Sequence, residues 1–141
     1  MWRFSVQVLQ EFYVQATRAS RQDAITHDQV RIAYQDDAGD WASLQPDFLI
    51  VSRRGDGTLG ASIVDPHGDY HADARAKLQA LAAFAEQFGD RFIRIESVAK
   101  VGDGTMRVLD LTDAAVRAAV LAFEGAKVSA LYQSEHSRPY P

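Results

Sequence analysis

The sequence predicts an α/β fold in which a central mixed β-sheet is flanked by helices. Residues 47–64 contain two apolar runs, DFLIV and TLGASIV, around a Gly-Asp-Gly turn, and this pattern is typical of a β-hairpin with a short glycine loop. An apolar stripe at helical spacing follows over residues 71–88, and the strand-like run RFIRIESV comes next. A helix that joins two strands of one sheet favours a parallel crossover, so the sheet should be mixed.

The segments before the hairpin are less regular. Residues 2–16 carry apolar positions that alternate as in a strand and also suit one face of a helix, and we favour the helix. Residues 17–29 are polar and predict a loop with a short helical turn. VRIAY at residues 30–34 alternates as a strand does, and the acidic run at residues 36–40 then breaks it. A return segment starting at Trp41 leads into the hairpin.

The helix after the hairpin has one apolar face. Its apolar positions are Ala74, Leu78, Leu81, Ala85 and Phe88. Their spacing predicts a helix from about His71 to Phe88 that packs on the sheet of the hairpin. Gly89 stands where a helix stop is expected, and Asp90 opens the link to the next strand. That strand lacks strict alternation, which suits a largely buried position beside the central strands.

A further strand and helix are predicted towards the C-terminus. Residues 101–105 repeat the Gly-Asp-Gly turn chemistry, and MRVLDL at residues 106–111 follows as a strand. Either Thr112 or Asp113 then caps a second helix, whose apolar face reaches Phe123.

The chain should form one domain. Its 141 residues are enough to bury a core, and no composition break suggests two units. The apolar run KVSALY at residues 127–132 predicts a short strand, and residues from about 133–141 predict a polar tail. The predicted unit is therefore a single domain over residues 1–141.

Composition limits the classes of function. With 15 basic against 19 acidic residues, the net charge of −4 excludes a generally basic nucleic-acid binder, so DNA contacts should be local or come from another domain. The absence of cysteine excludes disulfides, thiolate zinc sites and cysteine nucleophiles. No apolar run approaches the roughly 20 residues needed to cross a bilayer, and the N-terminus lacks a secretory pattern. We therefore expect a cytoplasmic protein without a membrane partner.

The open end of the hairpin carries the candidate site. A turn centred on Asp56 sets Asp47 opposite Asp65, and His67 follows two residues later. Two carboxylates and a third polar group at a strand end can hold a hard divalent cation such as Mg²⁺, which takes oxygen ligands and keeps several waters. In the alternative interpretation, Asp47 only begins a strand after Pro46, and Asp65 belongs to a turn before the next helix.

These residues resemble the motif of the PD-(D/E)xK nuclease superfamily. Pro46 and Asp47 stand for PD, and Asp65-Pro66-His67 occupies the (D/E)xK position with histidine for lysine. The run IVDPHGDYHADARAKLQALAAFAEQFGDRFIRIESVAKV, followed by RVLDLTDAAVRAAV, is similar to the C-terminal nuclease-like region of DEAD/DEAH-box helicases related to type III restriction enzyme Res subunits. The resemblance extends from about Arg31 to Ala119.

The resemblance implies a fold, a reaction and partners. The expected fold is a restriction-endonuclease-like αβββαβ core with an added C-terminal strand-helix-strand. The expected activity is a DNA endonuclease that uses Mg²⁺ or Mn²⁺ and works with a helicase or ATPase motor in restriction or phage defence. The chain has no G-x-x-x-x-G-K-[ST] phosphate loop, so the motor would be elsewhere. A catalytically inactive domain that docks on DNA or protein is the alternative, and a small-molecule hydrolase is a third.

The resemblance also implies roles for individual residues. Asp47 and Asp65 would hold the metal, and Glu11 from the first helix would add a third acid. His67 would do the work of the family's lysine as general base, positive group or metal ligand. Lys77, on the helix after the motif, is the obvious replacement for that lysine. In the alternative interpretation, Glu11 and Lys77 are solvated side chains.

A zinc site is a further alternative. His67 and His71 stand at a spacing that permits zinc binding together with Asp65. Gly68 interrupts the helix that such a histidine pair normally needs. His71 would otherwise either line the metal site or lie on the surface.

Overall fold

A computed structural model describes the protein over residues 31–68 and 72–141. The strands in these ranges are β1 (Ile32–Gln35), β2 (Trp41–Leu44), β3 (Phe48–Arg53), β4 (Leu59–Pro66), β5 (Arg94–Lys100), β6 (Met106–Asp110) and β7 (Arg138–Pro139). The helices are α1 (Ala74–Phe88), α2 (Ala114–Leu121) and α3 (Ser129–Tyr132), with a 3-10 turn at Gly89–Arg91. The helix predicted over residues 2–16 and the loop predicted over residues 17–29 lie outside the described residues.

The described strands form two sheets. Strands β1 and β2 pair with each other as an antiparallel hairpin. The other five form one sheet in the order β3-β4-β5-β6-β7. Strands β4 and β5 are parallel, and every other neighbouring pair is antiparallel. The predicted α/β class is confirmed, because α1 joins two parallel strands of a mixed sheet that is flanked by helices.

The two Gly-Asp-Gly turns have the same structure. Gly57 and Gly104 both have φ of +86°, which strains any residue with a Cβ. In the first turn, the Asp56 carboxylate accepts hydrogen bonds from the backbone N–H and the hydroxyl of Thr58. In the second, Asp103 accepts a hydrogen bond from the backbone N–H of Thr105. These side-chain hydrogen bonds are local, which is why the sequence pattern predicted both turns correctly.

The core lies between the sheet and α1. All five positions of the predicted apolar stripe are buried, and the predicted helix stop after Phe88 is confirmed. The helix packs against β1, β2 and α2, and the sheet contributes Ile63, Ile95 and Leu109 to the same cluster. The opposite side of the sheet carries a smaller buried cluster of Val64, Val98 and Val108. Alternation along β4, β5 and β6 thus supplies buried side chains to both sides of the sheet.

The predicted strand at residues 127–132 is wrong. This segment contains α3, and β7 lies inside the stretch predicted to be a polar tail. Val128, Leu131 and Tyr132 are buried, and their spacing of three and four residues is helical. A short apolar run does not separate helix from strand by periodicity alone, so packing decided the conformation.

The choice of cap for α2 is also decided by the structure. The Asp113 carboxylate accepts hydrogen bonds from the N–H groups of Ala115 and Val116, so Asp113 is the N-cap. Thr112 instead donates to the carboxylate of Asp110.

Within the described ranges, none of the helices combines the length and apolar character required to cross a bilayer.

Candidate active site

The register of the β3–β4 hairpin is the one predicted. Phe48 pairs with Val64 and Leu49 with Ile63, and continuing the register by one residue sets Asp47 opposite Asp65. The backbone N–H of Asp47 donates a hydrogen bond of 3.2 Å to Oδ1 of Asp65. Asp65 is 4% exposed, whereas Asp47 is exposed. The two residues therefore meet at one rim of the sheet, with one side chain inside and the other facing solvent.

His67 lies against the buried member of this pair. Its Nδ1 is 3.7 Å from Oδ2 of Asp65, and its Nε2 is 2.7 Å from the carbonyl oxygen of Ala74 in the first turn of α1. The backbone N–H of His67 donates to the carbonyl of Val98 in β5. The imidazole is thus fixed between the end of β4 and the start of α1.

Strand β5 is hydrogen-bonded to the end of β4 that carries Asp65. The Ser97 hydroxyl donates a 3.3 Å hydrogen bond to the backbone carbonyl of Asp65, and its oxygen lies 2.7 Å from the hydroxyl of Tyr132. Ser97 is fully buried and Tyr132 is 1% exposed. The end of β4 is therefore linked by buried hydrogen bonds through β5 to α3. Sequence reasoning missed both residues, because no local pattern brings them to Asp65.

Lys77 binds an aspartate of its own helix. Its Nζ lies 3.0 Å from Oδ2 of Asp73, at the i, i+4 spacing of a helical ion pair. The hydroxyl of Tyr34 donates a 3.3 Å hydrogen bond to the same oxygen. In the part of the chain that the structure describes, Lys77 makes no hydrogen bond or ion pair with Asp65 or His67. The catalytic role of Lys77 stays a prediction.

Two groups of this cluster, Tyr34 and Asp73, have shifted pKa values. Burial, followed by the negative charge of Asp73 and the hydrogen bond to it, raises the pKa of Tyr34 to about 12. Burial alone would raise the pKa of Asp73, but its hydrogen bond to Lys77, the charge of Lys77 and the hydrogen bond from Tyr34 outweigh it. The pKa of Asp73 is therefore lowered, and the carboxylate stays ionised beside its two partners.

A pocket of about 840 Å³ opens beside His67. Lys100 and the turn after β5 line one side, and Tyr132 and Gln133 of the α3 region line the other. The pocket contains both a positive side chain and the aspartate Asp103. It gives His67 a route to the surface even though the imidazole itself is only 6% exposed.

The sequence predicts that Asp47 and Asp65 bind a metal and that His67 is a further candidate ligand. Among residues 31–68 and 72–141, no group of three or more His, Cys, Asp or Glu side chains is arranged to hold a metal ion. Asp47 and Asp65 fit Mg²⁺ in kind, because this ion is usually bound by one or two carboxylates and completes its shell with water. The predicted third acid, Glu11, lies outside the described residues, as does His71 of the alternative zinc site.

A second charged cluster lies on the other side of the sheet. Glu96 is 1% exposed, and its Oε1 is 3.0 Å from Arg138 and 3.8 Å from Arg94. Its Oε2 is buried without a hydrogen-bond partner in the described part of the chain. Sequence reasoning missed this cluster. The available signal was an acid inside RFIRIESV, a run predicted to be buried, since a buried carboxylate needs a partner.

Comparison with known proteins gives the family of the chain. A family described as YagJ matches residues 12–141. Protein YagJ of Escherichia coli (strain K12) is 44% identical over 96 residues, which cover 68% of this chain and 38% of that protein. The chain therefore spans well under half the length of this curated relative. No solved structure matches it. The chain belongs to the YagJ family.

Proposed function

We propose that the domain is a metal-dependent endonuclease module of the PD-(D/E)xK type, which hydrolyses DNA phosphodiesters together with a helicase or translocase in restriction or phage defence. The observation that carries the proposal is the meeting of Asp47 and Asp65 at the open end of one hairpin. The motif of that superfamily requires its two acids on neighbouring strands at this location.

The order of elements supports the same proposal. Strands β3 and β4, helix α1 and strand β5 follow the ββαβ part of the αβββαβ core that the resemblance implies. The preceding strand, β2, pairs with β1 in a separate sheet. The parallel pairing of β4 and β5 across α1 agrees with that core. The first helix of the core would fall within residues 1–30, outside the described part. The strand β6, the helices α2 and α3 and the strand β7 would be additions to it.

The chemistry of the rim suits phosphodiester hydrolysis. Asp65 would supply Oδ2, because its Oδ1 already accepts the N–H of Asp47, and Asp47 would supply an exposed carboxylate. A bound Mg²⁺ or Mn²⁺ lowers the pKa of a water ligand and offsets the charge of the phosphate. The carboxylates would hold and orient this ion, and the neighbouring pocket beside His67 carries Lys100, a positive side chain that would attract a phosphate group.

Two basic side chains, His67 and Lys77, are candidates for the role of the missing lysine. His67 adjoins Asp65 directly, and its imidazole would orient a water or bind the metal. Lys77 lies in the first turn of α1, the turn whose Ala74 contacts His67, and it forms an ion pair with Asp73. In this position, Lys77 would offset negative charge on DNA.

A non-catalytic docking domain is the second candidate. The observation that favours it is the buried state of Asp65, whose carboxylate accepts the N–H of Asp47 and thereby ties β3 to β4. The ion pair of Lys77 with Asp73 likewise gives that lysine a structural partner. In this case the acids and the lysine stabilise the fold, and the protein binds DNA or another protein without cleaving it.

Cleavage of DNA by the purified protein tests the proposal. The protein is incubated with plasmid or single-stranded DNA and with Mg²⁺ or Mn²⁺, beside Asp47→Ala. Asp40→Ala is the matched control, because Asp40 is an exposed aspartate in the β1–β2 turn. The proposal expects cleavage by the wild type and Asp40→Ala and loss of cleavage by Asp47→Ala. Equal cleavage by all three removes Asp47 from the mechanism, and cleavage by none favours the docking domain.

A further inference from the structure

Strand β3 is an edge strand with exposed apolar side chains. It stands first in the five-stranded sheet, and within residues 31–68 and 72–141 no strand pairs with its outer edge. Phe48 is 55% exposed and Ile50 is 44% exposed. The strand has no proline or bulge, and its sequence FLIVSR carries no charge before Arg53. Such an edge is a template for a further strand, because charges, prolines and bulges are what normally protect it.

The other edge of the same sheet is better protected. Strand β7 has only two residues, Arg138 and Pro139. Proline has no N–H to donate, and a short charged edge offers few groups for pairing. The addition of a strand to this sheet is therefore favoured at β3.

The hydrogen bonds of the β3–β4 hairpin show which backbone groups of β3 point outwards. The N–H of Arg54 donates to the carbonyl of Thr58, in the pair that follows β3. Inward and outward groups alternate along an antiparallel strand, so every second residue counted back from Arg54 faces β4. The residues between them turn their N–H and C=O groups to the free edge, and these are Leu49, Val51 and Arg53.

We propose that β3 pairs antiparallel with β3 of a second copy of this chain, around a two-fold axis at Ile50. In this register Leu49 lies opposite Val51 of the second copy, and both have outward-facing backbone groups that can exchange hydrogen bonds. The contact is isologous, since the same residues are used by both copies, and it closes as a dimer. The two sheets then join into one continuous sheet.

The charges at the two ends of β3 favour this register and a second copy as the partner. Asp47 stands three residues before Ile50 and Arg53 three residues after it, and both side chains are exposed. Pairing around Ile50 places Asp47 opposite Arg53 of the second copy, and the symmetry forms this opposite-charge pair twice. Axes at Leu49 or Val51 keep the backbone alternation but do not bring the two charges opposite each other.

Both charged groups are available for this pairing. Nη1 of Arg53 donates to the carbonyl of Gly57, which is a neutral partner. The hydrogen bond of Asp47 to Asp65 uses its backbone N–H and leaves its carboxylate free of that contact. In the described part of the chain, neither side chain belongs to an ion pair.

The same register covers the exposed apolar side chains. The two copies of Ile50 face each other in a non-hydrogen-bonded pair, the type in which opposite side chains lie closest. Phe48 lies diagonally beside Ile50 of the second copy, within reach of an aromatic side chain. Removal of this apolar surface from water favours the dimer.

The inference goes beyond the proposed function and does not depend on it. Association is measured without DNA or metal, so a dimer that cleaves no DNA refutes only the nuclease. A monomer that cleaves DNA refutes only the pairing. If both proposals hold, a divalent ion bound by Asp47 competes with Arg53 of the second copy and should weaken the dimer.

Disulfide cross-linking tests the register. The chain contains no cysteine, so a single introduced cysteine can only bond to its counterpart in another copy. Ile50→Cys sets two thiols opposite each other and should cross-link on mild oxidation. Phe48→Cys, on the same face of the same strand, is the matched control. Its two copies would lie about 13 Å apart along the pair, beyond the roughly 7 Å between Cα atoms that a disulfide spans. Equal cross-linking of the two variants, or none of Ile50→Cys, overturns the inference.

Sedimentation velocity of the full chain measures the dimer itself. We expect the wild type to dimerise with rising concentration. Arg53→Glu puts two acids opposite each other and should weaken association by about tenfold or more. Asp47→Lys combined with Arg53→Glu exchanges the two charges, keeps the net charge and should restore the dimer. A wild type that stays monomeric, a dimer that Arg53→Glu leaves unchanged, or a double variant that does not recover it overturns the inference.

Discussion

The backbone N–H of Asp47 donates a hydrogen bond of 3.2 Å to the side chain of Asp65. Because the bond uses only the backbone of Asp47, replacing the two aspartates should have different consequences. Asp47→Ala keeps the N–H and should change the free energy of unfolding by less than about 0.5 kcal/mol. It should lower DNA cleavage by about two orders of magnitude or more, because a catalytic metal contributes several kcal/mol.

Asp65→Ala should lower both quantities. It removes a buried acceptor and leaves the N–H of Asp47 without its partner, so the free energy of unfolding should fall by about 1–3 kcal/mol. Urea unfolding and plasmid cleavage measure the two effects separately. An equal loss of stability in both variants would contradict the structural difference between the two aspartates.

Lys77→Met tests the second candidate for the lysine role. The ion pair with Asp73 is partly exposed, so its loss should cost only about 0.3–0.5 kcal/mol of stability. If Lys77 offsets charge on DNA, cleavage should fall by about tenfold or more, as for other positioned charges in catalysis. Lys127→Met, at an exposed lysine before α3, is the control. Equal cleavage rates for the two variants would show that Lys77 has no part in the reaction.

Tyr34 should make the fold sensitive to alkaline pH. Its pKa is raised from 10.0 to about 12 in the folded protein. The folded state then holds a proton that the unfolded state releases, so this contribution to stability is complete below about pH 10 and is lost as the pH rises towards about pH 12. Urea midpoints across this range should fall less steeply for Tyr34→Phe than for the wild type. Parallel curves for the two proteins would contradict the raised pKa.

Gly57→Ala and Gly55→Ala form a matched pair in one turn. A Cβ at either position would meet no atom within 4 Å, but only Gly57 has a positive φ, of +86°. Gly57→Ala should therefore lower the free energy of unfolding by about 1–2 kcal/mol through backbone strain alone. Gly55→Ala should be neutral or stabilise by about 0.4–1 kcal/mol, by restricting the unfolded chain. Thermal or urea unfolding measures both, and equal destabilisation would contradict the difference in backbone conformation between the two glycines.

Arg138 and Arg94 should contribute unequally to the buried Glu96. Arg138 makes a 3.0 Å hydrogen bond with its Oε1, whereas Arg94 lies 3.8 Å away. Arg138→Ala should cost about 1–3 kcal/mol, the range for a hydrogen bond to a charged group. Arg94→Ala should cost about 0–1 kcal/mol, as exposed pairs do. Urea unfolding compares them, and a larger effect of Arg94→Ala would be inconsistent with these distances.

The parts of the fold that were predicted correctly are those set by local chemistry. The Gly-Asp-Gly turn fixes the register of β3 and β4, because the Asp56 carboxylate accepts hydrogen bonds from Thr58 and Gly57 adopts a positive φ. That register is what brings Asp47 to Asp65. The stripe on α1 is likewise local, since side chains three and four residues apart share a helix face.

The contacts that were missed join residues far apart in the chain. Arg138 reaches Glu96 only because β7 pairs with β6, and Tyr132 reaches Ser97 only because α3 is helical. Because residues 127–132 were predicted to be a strand, the hydrogen bonds that link Tyr132 through Ser97 to Asp65 were not predicted either. The carbonyl of Ala74, at the start of α1, accepts a hydrogen bond from Nε2 of His67 and so determines that this nitrogen carries a proton. A sequence pattern does not encode such backbone partners.

The parallel pairing of β4 and β5 has a consequence for the kinetics of folding. Contacts between neighbouring strands of a hairpin form quickly, whereas β4 and β5 can pair only after the chain has closed the long loop that contains α1. We therefore expect the two aspartates to come together early, while water still surrounds Asp65, and strand β5 to bury Asp65 in a slower step. Divalent ions present during refolding would then reach Asp65 before it is buried, and would change the rate of the slow step.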